Sequence, residues 1–182
     1  MPEAQHLKAK ICLVGEGAVG KTSLIRRFVL DQFDDDYIAT LGAKVSKKRM
    51  EIPVLPEELV ILEMTIWDVM GQPQFRELLR EKYFKGASGI LAVSDLTRRE
   101  TLEALYEWID RVDRTAGPTP VVLAVNKADL ATDARYGEAD AARFAQGLHG
   151  EFFLASAKTG ANVEEAFRGL AIRIAERVLR SQ

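Results

Sequence analysis

Three short runs, Ile11–Val14, Gly89–Val93 and Val121–Val125, are unbroken and apolar. None alternates with polar residues, so each must be covered on both faces, as in the interior of a parallel sheet. Parallel strands need long crossovers, and the intervening segments carry helical periodicity. Lys21–Leu30 places Leu24, Ile25, Phe28 and Val29 on one side. Thr97 with Glu100 reads as a capping box ahead of Leu102, Leu105, Tyr106, Ile109 and Val112. Residues 139–148 make a weaker helical pattern ending at Gly150, and Phe152–Ala155 is a weaker apolar run. Asn162 with Glu165 offers a looser capping signal before a last helix with Val163, Ala166, Phe167, Leu170, Ile174 and Val178 on one face. Lys10–Val14 reads as the first strand. Ala43–Ile52 and Leu59–Trp67 read as a hairpin turning at Pro53 and Pro56. The expectation is an α/β fold, a mostly parallel sheet with one antiparallel edge strand and helices on both faces. Lys47, Lys48 and Arg49 would protect and solvate that edge.

A chain of 182 residues fits one domain, 1–182, with a core from about 8 to 180. Its formal net charge of -2 argues against coating nucleic acid by charge. The longest strictly apolar run, Val121–Val125, is far too short to span a membrane. Met1–Lys10 has no apolar signal-peptide core. Cys12 is the one cysteine and lies inside an apolar run, so it reads as a buried small hydrophobe.

Directly after the first strand stands Gly15-Glu16-Gly17-Ala18-Val19-Gly20-Lys21-Thr22. So much glycine is costly beside a core strand, and something must compensate. The spacing Gly15-x4-Gly20-Lys21-Thr22 is a phosphate-binding loop. Glycine lets backbone N–H groups converge on phosphate oxygens, and the following helix adds its positive dipole end. Lys21 should reach the β- and γ-phosphates, and the Thr22 hydroxyl should ligate Mg²⁺.

Asn126-Lys127-Ala128-Asp129 follows another strand of the same sheet. The Asp129 carboxylate accepts hydrogen bonds only, and guanine offers N1–H and a 2-amino group. Adenine offers neither there, so a buried carboxylate would lose its partners. Asn126 can order the loop and meet the base edge, and the Lys127 stem can lie over the ring. Ser156-Ala157-Lys158 can bring a backbone N–H to guanine O6. In Trp67-Asp68-Val69-Met70-Gly71-Gln72, Asp68 can hold a metal-bound water and Gly71 can bring an N–H to a γ-phosphate. Gln72 can orient an attacking water.

These motifs together resemble the Ras superfamily of small GTPases, nearest its Rab-like branch, from about Lys8 to Arg180. The resemblance implies a nucleotide-dependent switch that binds GTP or GDP with Mg²⁺ and hydrolyses GTP slowly. It implies that Gly15, Gly17, Ala18, Val19, Gly20, Lys21, Thr22 and Ser23 surround the phosphates. Phe33 would be the aromatic edge against guanine. Thr40 would be the switch I threonine, binding Mg²⁺ beside the γ-phosphate. Thr22, Thr40 and, through water, Asp68 would form the metal site, with Gln72, Lys21 and Thr40 serving hydrolysis. Asn126, Lys127 and Asp129 would read the base, and Ser156, Ala157 and Lys158 would close over it. Effectors, exchange factors and GTPase-activating proteins would engage switch I and switch II of a cytoplasmic monomer.

Three features depart from the family pattern. Thr40 and Asp68 stand further apart than is usual, with the extra residues near Pro53–Glu58. Switch II carries Val69, Met70 and Pro73 in place of threonine, alanine and glutamate. The chain ends Arg177–Gln182 without a cysteine, so no lipid anchor is expected on it as given. Pro73 keeps a second reading open, a guanine-nucleotide-dependent scaffold with negligible turnover. A P-loop kinase or ATPase is disfavoured by Asn126–Asp129.

Overall fold

The computed structural model of the chain describes residues 4–31, 43–55, 58–69 and 82–182. Along the sequence run β1 (Gln5–Val14), α1 (Lys21–Leu30), β2 (Ala43–Leu55), β3 (Glu58–Val69) and β4 (Gly89–Asp95). There follow α2 (Arg99–Glu103), α3 (Leu105–Ala116), β5 (Val121–Asn126), a 3-10 segment (Ala128–Asp133), α4 (Glu138–Gly147), β6 (Glu151–Leu154) and α5 (Val163–Arg180). Among the described residues the sheet has the order β2-β3-β1-β4-β5-β6. Every pairing is parallel except β2 with β3. The expected α/β architecture with one antiparallel edge strand is the one observed.

The apolar runs are buried on both faces as expected. One core packs α1 and α5 against Ile11, Leu13, Leu91, Val93, Val122 and Ala124. The other packs α3 and α4 against Cys12, Val14, Ile90, Ala92, Leu123 and Val125. Cys12 is fully buried there, and desolvation pushes its thiol up to about 12.

Several local expectations are corrected. β1 begins at Gln5 rather than Lys10. Gln5–Lys10 pair only with β3, because β4 joins from Ile11 onward, so that half is exposed on alternate residues and reads as polar. β2 continues through Pro53, which faces Leu59, and its register shifts before Leu55. An edge strand tolerates the missing N–H. Pro56 lies outside the described residues. Lys48 does more than solvate the edge, since its ammonium lies 5.2 Å over the Phe28 ring, which stacks on Phe167.

Neither capping signal is used. The residue before α2 is Arg98, with no side-chain cap, and Thr97 turns back to Asp95 instead. Asn162 takes a left-handed conformation, and its amide donates to the Leu154 carbonyl. Ala104, between α2 and α3, keeps helical angles, so the two run almost as one helix. Tyr106 is exposed on it, while Trp108 is buried in its place.

Candidate nucleotide site

The site lies at the carboxyl ends of β1, β3, β4 and β5, where Val14, Asp68, Asp95 and Asn126 meet. Open parallel sheets place ligands there. Gly15–Gly20 leaves β1 and enters α1 with Gly20 in a left-handed conformation at the helix start. A Cβ on Gly20 would stand 2.2 Å from the Asn126 amide nitrogen, and one on Gly15 would stand 2.3 Å from the Val93 carbonyl. Those two glycines are therefore required by close packing as well as by backbone angle.

The carbonyls of Gly15 to Val19 are each held by a side chain. Lys21 Nζ donates to the Gly15 carbonyl at 2.9 Å and the Glu16 carbonyl at 2.8 Å. Arg98 Nη2 holds the Gly17 carbonyl at 3.0 Å, Lys127 Nζ the Ala18 carbonyl at 2.9 Å, and Asn126 Nδ2 the Val19 carbonyl at 2.9 Å. In a trans peptide the following N–H lies in the same plane as the carbonyl and points in the opposite direction. With three successive carbonyls drawn to the surrounding protein, the N–H groups of Ala18, Val19 and Gly20 turn the other way. Together with the first turn of α1, where Lys21, Thr22 and Ser23 sit, they form a concave set of donors suited to an anion.

Lys21 is buried, and desolvation lowers its pKa to about 8 although Asp68 and Glu16 pull it back up. A buried ammonium of this kind gains by facing phosphate oxygens. Thr22 Oγ1 donates to Asp68 Oδ2, and Asp68 is itself 2% exposed at the end of β3. A hydroxyl beside a carboxylate is a hard oxygen pair, which fits Mg²⁺.

Asn126 uses both ends of its amide. Besides holding Val19, its Oδ1 accepts from the Ala157 N–H at 3.1 Å. One N–H of the Ser156–Lys158 segment, that of Ala157, is thus engaged by Asn126, which ties the phosphate loop to that segment. Asp129 is exposed and so free of burial by the protein itself. Ser156 Oγ donates to Asp129 Oδ1 at 2.7 Å and fixes the carboxylate's orientation. Phe33, Thr40, Gly71, Gln72 and Pro73 lie outside the described residues.

Other residues of the site were not anticipated. Asp95, 1% exposed at the end of β4, receives Thr97 N and Oγ1, Arg98 Nε and Lys127 Nζ. Burial alone would raise its pKa, but these donors hold it below the usual carboxylate range. Arg27 of α1 donates to the Ala157 carbonyl at 2.9 Å and the Lys158 carbonyl at 2.7 Å. Trp108 Nε1 donates to Glu16 Oε1 at 3.0 Å. The one sequence signal was a polar residue, Asp95, closing an apolar strand.

The Ras family model matches residues 10–176. GTP-binding protein ypt5 of Schizosaccharomyces pombe is 37% identical over 171 residues, covering 92% of this chain and 78% of that protein. Ras-related protein Rab-22A of Mus musculus is 35% identical over 167 residues, covering 91% and 82%. With a phosphate loop of this geometry and relatives of this extent, the chain belongs to the Ras family and is a Rab-like small GTPase, a switch that binds GTP and GDP with Mg²⁺, hydrolyses GTP and works with effectors, exchange factors and GTPase-activating proteins.

Proposed function

We propose the following division of labour over one GTP-binding domain spanning 1–182. The N–H groups of Ala18, Val19 and Gly20 and the first turn of α1 hold the phosphates, and Lys21 spreads the charge that develops on the transferred group. Thr22 and Thr40 ligate the metal directly and Asp68 does so through water. Bound Mg²⁺ supplies a Lewis acid that neutralises phosphate charge. Gln72 orients the attacking water, and Gly71 presents its N–H to the γ-phosphate. Asp129 selects guanine, Phe33 and the Lys127 stem flank the ring, and Ser156–Lys158 close the base pocket. Thr40 and Gly71 hold their loops while the γ-phosphate is present and release them on hydrolysis. Partners read those two loops, and we place this action in the cytoplasm. No helix among the described residues is long and apolar enough to cross a membrane.

The observation that carries this reading is the ring of side chains holding the carbonyls of Gly15 to Val19. The test is single-turnover hydrolysis of GTP with Mg²⁺, beside Gln72→Leu. Turnover abolished in Gln72→Leu with GTP affinity retained supports the roles given. Equal turnover in both proteins removes Gln72 from hydrolysis, and undetectable turnover in the parent chain would favour the scaffold reading.

A further inference from the structure

Two cations meet on one buried carboxylate and hold consecutive carbonyls of the phosphate loop. Lys127 Nζ lies 2.8 Å from Asp95 Oδ2 and 2.9 Å from the Ala18 carbonyl. Arg98 Nε lies 3.0 Å from the same Asp95 oxygen, while its Nη2 lies 3.0 Å from the Gly17 carbonyl. Lys127 belongs to the base-reading motif, but Arg98 does not. It stands just before α2, beyond β4, and comes from a different part of the chain.

We infer that Arg98 is a positioning residue for the phosphate loop: anchored on Asp95, its guanidinium fixes the Gly17–Ala18 peptide so that the Ala18 N–H faces the terminal phosphates. The inference rests on the proposed reading of the loop. The geometry favours this role over general cohesion. A planar fork can satisfy Asp95 with one nitrogen and Gly17 with another at once, which a lysine ammonium on a flexible stem does less well. Glycine at 17 leaves its own backbone angles loosely specified, so the peptide needs an external restraint. Asp95 supplies a fixed origin, because Thr97 holds its other oxygen from both the backbone and the hydroxyl. Of the base-reading residues, Asp129, Ser156 and Asn126 are not touched by Arg98, and Lys127 shares with it only the Asp95 anchor, while Thr97 and the Ala18 carbonyl still hold Asp95 and Lys127 when Arg98 is removed. Arg98 should therefore act on the phosphate end alone.

The experiment measures dissociation of fluorescent GDP, and of the corresponding inosine diphosphate, from the Mg²⁺-loaded full chain. Variants are Arg98→Ala, Arg98→Lys and, as a control, Arg99→Ala. Arg99 is the next residue and pairs with Glu103 and Asp140, away from the loop. Loss of one charge-assisted hydrogen bond at a partly exposed site should speed release about fivefold in Arg98→Ala. Arg98→Lys should fall between that and the parent. The ratio of the guanosine to the inosine rate should stay at the parent value, and Arg99→Ala should release at the parent rate. A parent-like rate in either Arg98 variant overturns the inference, as does a shift in the guanosine-to-inosine ratio or equal acceleration by Arg99→Ala. Should Arg98→Ala fail to fold, Arg98→Lys decides alone. Failure of the parent chain to bind either nucleotide would instead overturn the reading of the loop itself.

Discussion

The Thr22 hydroxyl donates to the Asp68 carboxylate, joining the first turn of α1 to the end of β3. A metal held here would take the hydroxyl oxygen as a ligand, and the triphosphate would gain more from it than the diphosphate. Thr22→Asn should therefore favour GDP over GTP. Titration of both nucleotides in Mg²⁺ checks this, and an equal loss for the two would count against the metal role of Thr22.

Asp129 is oriented by Ser156, so base selection should depend on both. Asp129→Asn exchanges an acceptor for a donor and matches xanthine better than guanine. GTP binding should weaken by about 2 kcal/mol or more while the xanthosine triphosphate gains. Ser156→Ala should weaken GTP less than Asp129→Asn and leave the preference for guanine in place. Competition binding separates the two; a Ser156→Ala protein that prefers xanthosine would show that orientation alone sets the choice.

Asn126 is buried and holds two backbone groups from segments far apart in the chain. Asn126→Ala leaves the Val19 carbonyl and the Ala157 N–H without these partners. A cost of about 2–4 kcal/mol in folding stability is expected for the pair, together with faster nucleotide release. Denaturant unfolding at fixed nucleotide concentration measures the first, and fluorescent GDP chase the second.

Lys21 gives a pH signature. Its pKa is lowered to about 8 in the folded chain, chiefly by desolvation, against 10.5 as the ordinary value. Between those two pH values the unfolded chain binds the proton and the folded chain does not, so stability rises with pH across that window. Below pH 8 both forms are protonated and the burial cost is fully present. The nucleotide-stripped parent chain should thus gain stability from pH 8 to pH 10 relative to Lys21→Met. Parallel profiles for the two proteins would contradict it.

Gln72 and Pro73 lie outside the described residues, yet their chemistry makes a prediction. Proline disfavours the helical region for the residue before it, and such a bias would make the water-orienting pose of Gln72 a minor one. Pro73→Glu should hydrolyse GTP faster in a single turnover with little change in affinity. Slower hydrolysis would point to proline as a pre-ordering element instead.

How legible the site was depended on where each residue's partner lies. Gly15, Gly20, Lys21 and Asn126–Asp129 stand out in the sequence because each belongs to a contiguous motif beside a recognisable strand, and the structure brings them together. Arg98 and Arg27 were not, because each acts on backbone carbonyls distant in sequence, Gly17 and Ala157, and a carbonyl leaves no trace in residue type. Thr97 was misread as a cap because Asp95, two residues earlier and buried, competes successfully for its hydroxyl. The fold was readable where strands are covered on both faces. It was least readable at Gln5–Ala9, where one neighbouring strand is missing and the apolar signal thins.

The bonds from Arg27 to Ala157 and Lys158 make α1 a caliper. One jaw is the phosphate loop that runs into Lys21 and Thr22, and the other is the Ala157–Lys158 loop, proposed above to close the base pocket. Their separation is set by five residues of helix from Thr22 to Arg27, about 7.5 Å of rise. With that pocket as proposed, a site built this way would gauge the length of its ligand from phosphate to base. Adding or removing a single residue within that stretch would swing Arg27 about 100° around the axis and disengage the far jaw, even with every contacting side chain still present.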